Sequence, residues 1–210
     1  LFAGHGRLKG SGRVEVTAKD GSRQTIATKN VILATGSVPK MLPGLQADGS
    51  RVITSTEALA LEFVPKTFLI LGAGAVGVEF ASMYQRFGSA VTLVEMLPRV
   101  LPIEDEDSSA ELSKAFRKRD IQVKVGTKVE NVKVLDKGVE VQVSSEKSGK
   151  ETLKADVVLV ALGRRPVTDD VGLEGTRVEL ERGFVKVHKQ MRTGAPSVFS
   201  IADLLSTPAV

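Results

Sequence analysis

The sequence predicts an α/β fold: a parallel sheet flanked by helices, with one connection made by a three-stranded β-meander instead of a helix. Three observations predict it. First, Phe68 to Leu71, Val91 to Val94 and Val157 to Ala161 are short continuous apolar runs, as in parallel strands covered on both faces. Second, a glycine-rich turn follows the first run, and Val76, Phe80, Met83 and Phe87 then recur at helical spacing. Third, strand-like stretches at 121–125, 129–135 and 138–144 precede the last run. The order is strand, helix, strand, helix, meander, strand.

The elements follow in order. Residues 13–18 alternate as a strand does, Asp20-Gly21 supplies a turn, and Gln24 to Thr28 return. Val31 to Ala34 form a buried strand that leads into Thr35-Gly36-Ser37 and a loop holding Pro39 and Pro43. Ser55-Thr56-Glu57 starts a helix that continues into Ala58-Leu59-Ala60-Leu61. Gly88 sits where a C-cap glycine closes the helix after the glycine turn. A further helix spans about 105–119, with acids at its start and Arg117-Lys118-Arg119 at its end, as the helix dipole favours; the basic run reads as a solvated helix end. Asp136-Lys137-Gly138 and Ser148-Gly149 are turns, and Ala155-Asp156 leads into the last apolar run. Beyond Leu162-Gly163-Arg164-Arg165-Pro166 stand an exposed-looking strand, Phe184 to Val187, and the stretch Val198 to Asp203. Three segments result: 1–48, 49–163 and 164–210. The outer two, mostly strand and loop, are expected to belong together.

Composition narrows the function. The 210 residues are 42% hydrophobic, enough for a core, and no apolar run reaches the length of a membrane span. The net charge of +4 is scattered and aromatics make up only 4%, which argues against a nucleic-acid surface. There is no cysteine, so disulfides, thiolate metal sites and thiol redox chemistry are excluded within these residues. His5 and His188 each stand alone and read as surface or structural residues. Both ends read as cut, no signal peptide opens the chain, and a cytoplasmic location is the default expectation.

The chemistry lies in Gly72-Ala73-Gly74-Ala75-Val76-Gly77-Val78-Glu79. Between a buried strand and an amphipathic helix, this spacing is the mark of a Rossmann-like dinucleotide site. Gly72 permits the tight turn, Gly74 lets the backbone approach a pyrophosphate, and Gly77 lets helix and strand pack closely. The helix start offers unpaired N–H groups and a positive dipole end. Glu95 closes the next strand 18 positions beyond Gly77, near the roughly 20 expected of a ribose-binding acid. A carboxylate there accepts from the ribose hydroxyls and repels a 2′-phosphate; the first arginine after it is Arg99. NAD is therefore expected over NADP. Glu79, read as lying in the helix's first turn, admits two explanations: a ligand contact, or a dipole-favoured carboxylate.

GAGAVGVEFASMYQRFGSAVTLVE, with ILATGSVP upstream and LVALGRRP and VFSIAD downstream, resembles the pyridine nucleotide–disulfide oxidoreductases, and among them the dihydrolipoamide dehydrogenase branch. The resemblance runs over essentially the whole chain, with four motifs in register. It implies an NAD domain inserted into an FAD domain. Gly72 to Glu79, Glu95, Val129 and Gly163 match positions lining NAD, with Glu79 near the nicotinamide end. Gly6, Thr35, Gly36, Ser37, Asp203, Ala209 and Val210 match positions along FAD, Asp203 as the acid bonded to the ribityl chain. It further implies a homodimer working in a 2-oxo-acid dehydrogenase complex, with a small-molecule or lipoyl-domain substrate. The redox cysteines and catalytic histidine of the family lie outside these residues. One departure stands out: the family reads Gly-Asp where this chain has Ala202-Asp203, and the added methyl is expected to weaken backbone approach to the flavin. Other flavoprotein reductases of the same fold (mercuric reductase, transhydrogenase or NADH oxidase types) and a non-catalytic NAD-binding module are the alternatives.

Overall fold

A computed structural model describes residues 1–10 and 12–206. The chain forms two compact units, Pro39–Gly163 and a second built from Leu1–Val38 with the segment from Arg164 onward. The boundary falls at Pro39 and not at 49, because Met41, Leu42 and Leu45 pack against the core of the first of these units.

In Pro39–Gly163 five parallel strands line up in the order Val52–Ile53, Val157–Val160, Thr67–Leu71, Ala90–Val94 and Gln122–Lys124. Side chains alternate across the sheet, so each apolar run feeds two cores. Phe68, Ile70, Val91, Leu93 and Leu159 meet the helices Ala75–Phe87 and Glu106–Lys118 through Val78, Phe80, Tyr84 and Phe116. Leu69, Leu71, Val94, Val158 and Val160 share the other core with Val139, Val141 and Val143 of the meander. This explains the unbroken apolar runs: neither face is left for polar residues.

The meander differs from its expected composition. Its strands are Thr127–Leu135, Gly138–Ser145 and Gly149–Ala155, all antiparallel. Residues 121–125 instead supply the parallel edge strand, because Ile121 and Val123 belong to the helix-side core. The third meander strand, Gly149-Lys-Glu-Thr-Leu-Lys-Ala155, is polar except at Leu153 and Ala155, which turn to the core. A half-solvated strand of this kind carries little apolar signal.

Local chemistry fixes the helix ends. Asp105 caps Glu106–Lys118 through the N–H groups of Asp107 and Ser108, and Gly88 closes Ala75–Phe87 at φ 104°. The helix begun at Ser55 stops at Ala58 and does not run on to Leu61. It has a capping box: Thr54 accepts from Thr56, and Glu57 reaches back to the Thr54 N–H. The Thr54 hydroxyl, and then its N–H, hold the Glu57 carboxyl below the usual range. Arg119 is not a solvated end like Arg117 and Lys118. It is half-buried and donates to Ser82 Oγ (2.8 Å) and to the Ser82 carbonyl and Gln85 Oε1 (2.9 Å each), tying the two helices together. On the first helix Phe87 is exposed, and Ala81 and Tyr84 take the buried face with Val78 and Phe80.

The other unit holds the antiparallel sheet His5–Leu8, Arg13–Thr17 and Arg23–Ala27, and the parallel pair Val31–Leu33 with Val198–Ser200. Its core is Leu8, Leu33, Val185, Val198, Leu204 and Leu205. The strand expected over 184–187 is Phe184–Val185, with Val185 buried, not exposed. His5 contacts the Asp170 carbonyl (2.9 Å) and carboxylate (3.2 Å) at the surface.

Candidate functional site

The glycine turn leaves the strand Thr67–Leu71 and enters the helix Ala75–Phe87. Each glycine there meets a different constraint. Gly72 has φ 105°, and a Cβ on it would lie 2.3 Å from the Ala161 carbonyl oxygen. A Cβ on Gly77 would lie 1.9 Å from the Gly72 carbonyl oxygen. A Cβ on Gly74 would meet nothing within 4 Å. Gly72 and Gly77 are thus demanded by packing, whereas Gly74 keeps open space over the helix start.

Gly74 caps the helix without a side-chain hydrogen bond. Among the described residues the N–H groups of Gly74, Ala75, Val76 and Gly77 have no acceptor. Four converging donors at the positive end of a helix dipole suit an anion. Ala73 is held on both sides: its N–H donates to Glu95 Oε2 (2.8 Å), and its carbonyl accepts from the Leu101 N–H (2.7 Å). Glu95 Oε1 accepts from the Leu97 N–H at 2.9 Å. Two acceptor positions of the carboxylate remain, one on each oxygen. Arg99 is already engaged by Glu106 and by the carbonyls of Pro102 and Glu104.

Glu79 lies in the helix's second turn, so the first-turn dipole does not account for it. It is exposed, shares the face of Ala75 four residues earlier, and makes no hydrogen bond or ion pair among the described residues. Val129 sits beside a bulge in the meander and packs on the core containing Leu71 and Val94. Gly163, at φ 91°, lies two residues after Ala161, which follows the strand Val157–Val160 and abuts Gly72, and the Gly163 carbonyl accepts from the Lys40 N–H.

The other unit brings Ser37 and Asp203 together. Ser37 Oγ donates to Asp203 Oδ2 at 2.5 Å. Arg164, to which no sequence pattern assigns a role, donates from Nε to Ser37 Oγ (2.6 Å) and from Nη2 to the Ser37 carbonyl (2.7 Å). Thr35 and Gly36 hold the same loop against Val167, through the Thr35 hydroxyl and the Gly36 carbonyl. Gly6 lies in the strand His5–Leu8 opposite Val16, outside this cluster. Ala209 and Val210 lie outside the described residues.

Asp203 stands on a short 3₁₀ turn, Ala202–Leu204, entered by Ala202 at φ 57°. The expectation for Ala202 concerned ligand approach; the geometry adds a backbone cost that glycine avoids. Ala202→Gly is expected to raise the stability of this unit by about 0.5–1 kcal/mol, read as a higher melting temperature. A lower one would show that the turn does not hold this conformation.

Residues 4–210 match the pyridine nucleotide-disulphide oxidoreductase family, and the chain belongs to it. Proteins of this family are oxidoreductases that use FAD and a pyridine nucleotide. A dihydrolipoyl dehydrogenase of Chlorobaculum tepidum is 44% identical over 204 residues, 97% of this chain and 44% of that protein. LpdA of Mycobacterium tuberculosis superposes with a TM-score of 0.89 at 30% identity, over 99% of this chain and 46% of its own. The flavoprotein disulfide reductase RclA of Escherichia coli gives 0.82 at 29% identity, over 99% and 46%. The chain spans less than half the length of these relatives.

Proposed function

We propose that this chain is the NAD(H)-binding part of an FAD-dependent dihydrolipoyl dehydrogenase, which converts dihydrolipoamide and NAD⁺ to lipoamide and NADH. The observation that carries the reading is Glu95, held by the Ala73 and Leu97 N–H groups beside the open glycine turn with an acceptor position free on each oxygen. The free N–H groups from Gly74 to Gly77 would hold the pyrophosphate, and Glu95 would accept from the adenosine ribose hydroxyls. Bound there, NAD supplies a hydride acceptor. Glu79, on the open face of the helix, would line the nicotinamide side, with Val129 and Gly163 bordering the same cofactor.

In the other unit Asp203 fits the polyol of FAD. Its Oδ1 accepts nothing among the described residues, and the side chain is 31% exposed. Thr35, Gly36 and Ser37 border the same flavin site, and Gly6 its adenine end. The disulfide step belongs to cysteines outside these 210 residues, which contain none. A lipoyl-domain substrate, a homodimer, a 2-oxo-acid dehydrogenase complex and a cytoplasmic location complete the reading. The likeness to RclA favours a second one, another flavoprotein disulfide reductase of the same fold.

The test titrates the chain with NADH and NADPH side by side, following nicotinamide fluorescence. A 2′-phosphate beside the Glu95 carboxylate costs about 2 kcal/mol after solvent screening, so NADH is expected to bind about 30-fold more tightly. Equal binding, or a preference for NADPH, would refute the assignment of Glu95 and shift the reading toward NADPH-dependent reductases.

A further inference from the structure

The structure assigns Arg164 a positioning role: its guanidinium fixes the Ser37 hydroxyl, and through it the orientation in which the Asp203 carboxylate meets a ligand. The ligand's identity rests on the flavin reading above; the relay itself rests on geometry within one unit.

Arg164 donates twice to one residue, from Nε to Ser37 Oγ and from Nη2 to the Ser37 carbonyl. A hydroxyl has a single proton. With its oxygen accepting from the guanidinium, the Ser37 O–H is directed at Asp203 Oδ2. A guanidinium has donors and no acceptor, so the chain of hydrogen bonds runs one way, from guanidinium to hydroxyl to carboxylate. The Arg164 Nε also lies 3.7 Å from Asp203 Oδ2 and offsets the charge of a carboxylate that is only 31% exposed.

The consequence is chemical selection. Oδ2 already takes the Ser37 hydroxyl and Oδ1 takes no donor among the described residues, so Oδ1 is the more open acceptor of Asp203. The matching ligand group is a hydrogen-bond donor, such as a hydroxyl of a polyol chain, and not a carbonyl or a phosphate. Without Arg164 the Ser37 hydroxyl turns freely and the carboxylate loses its fixed orientation. Lysine cannot substitute, because one ammonium does not give two in-plane donors to the Oγ and carbonyl of the same residue.

The test uses the full chain and two readouts. In flavin-free protein, thermal unfolding of Arg164→Ala, Asp203→Ala and the double variant is expected to be non-additive, with the coupling shrinking when Ser37→Ala removes the relay. In the second readout, quenching of flavin fluorescence reports FAD affinity. Arg164→Ala and Arg164→Lys are each expected to weaken FAD about tenfold, yet Arg164→Ala should matter less than about twofold once Asp203→Ala is present. An equal loss in both backgrounds marks Arg164 as merely structural and overturns the proposal. No FAD uptake by the unsubstituted chain, with the unfolding coupling intact, overturns the flavin reading while supporting the relay. Additive unfolding overturns the relay.

Discussion

Gly77→Ala is expected to lower the stability of the Pro39–Gly163 unit by about 3 kcal/mol or more, whereas Gly74→Ala, three residues away, should cost less than about 1 kcal/mol. The difference lies in what the added methyl meets. At Gly77 it would lie 1.9 Å from the Gly72 carbonyl oxygen, which is backbone. That backbone cannot retreat, because the Ala161 carbonyl already blocks the space a Gly72 side chain would need. Helix and strand must therefore separate, and Phe68, Tyr84 and Phe80 lose their stacking as they do. At Gly74 the methyl enters open space at φ −73°, an ordinary value for alanine. Yet this is the space through which a pyrophosphate approaches the free N–H groups, so Gly74→Ala should melt like the unsubstituted chain and bind NADH at least tenfold more weakly, on the order of the loss of one or two charge-assisted hydrogen bonds. Tyr84 is the chain's single tyrosine, there is no tryptophan, and its ring is buried in this unit, so its fluorescence reports unfolding there. A Gly77→Ala variant that melts with the unsubstituted chain would show that helix and strand do not approach this closely.

How much of this was legible in the sequence depends on whether the cause is local. The parallel strands could be read because burial on two faces leaves an unbroken apolar run, as in Phe68 to Leu71. The place of Glu95 beside the glycine turn is legible because strand and helix lengths fix its distance from the glycines. The strand Gly149–Ala155 escaped because one of its faces is solvated, so only Leu153 and Ala155 carry an apolar signal. The edge strand Gln122–Lys124 reads as part of the meander because periodicity cannot tell a parallel partner from an antiparallel one. Arg164 and Arg119 owe their roles to partners 127 and 37 residues earlier in the chain, which no local pattern announces. From sequence Glu79 falls in the first turn, because the exact start of a helix depends on its cap; the cap is Gly74. At Ala202 the residue type stands out in the sequence, but a positive φ is a property of the path of the chain and not of the residue type.

Glu95→Ala is expected to weaken NADH binding by about 10- to 100-fold while changing NADPH binding little, bringing the two within about threefold of each other. The NADH loss follows from removing a charged acceptor that two ribose hydroxyls would share; hydrogen bonds to a charged group contribute roughly 1.5–3 kcal/mol each, and water recovers part of that in the space vacated. NADPH has only the 3′-hydroxyl to lose, because its 2′ position carries a phosphate that the carboxylate repels, and removing the repulsion offsets that loss and any loosening of the turn. Arg99 does not step in to favour NADPH, since Glu106 and two backbone carbonyls hold its guanidinium. Part of the NADH loss is indirect: Ala73 and Leu97 lose the acceptor for their N–H groups, so the turn is less firmly held before any ligand arrives. Glu95→Gln separates the two contributions. The amide keeps the shape and one acceptor but turns an NH₂ toward one of those N–H groups and carries no charge. The preference for NADH should therefore narrow in Glu95→Gln while more of the NADH affinity survives than in Glu95→Ala. If Glu95→Gln kept the full preference, charge would not be what discriminates between the cofactors. If Glu95→Ala weakened both cofactors equally, Glu95 would serve only to hold the turn, and the ribose would be read by some other group.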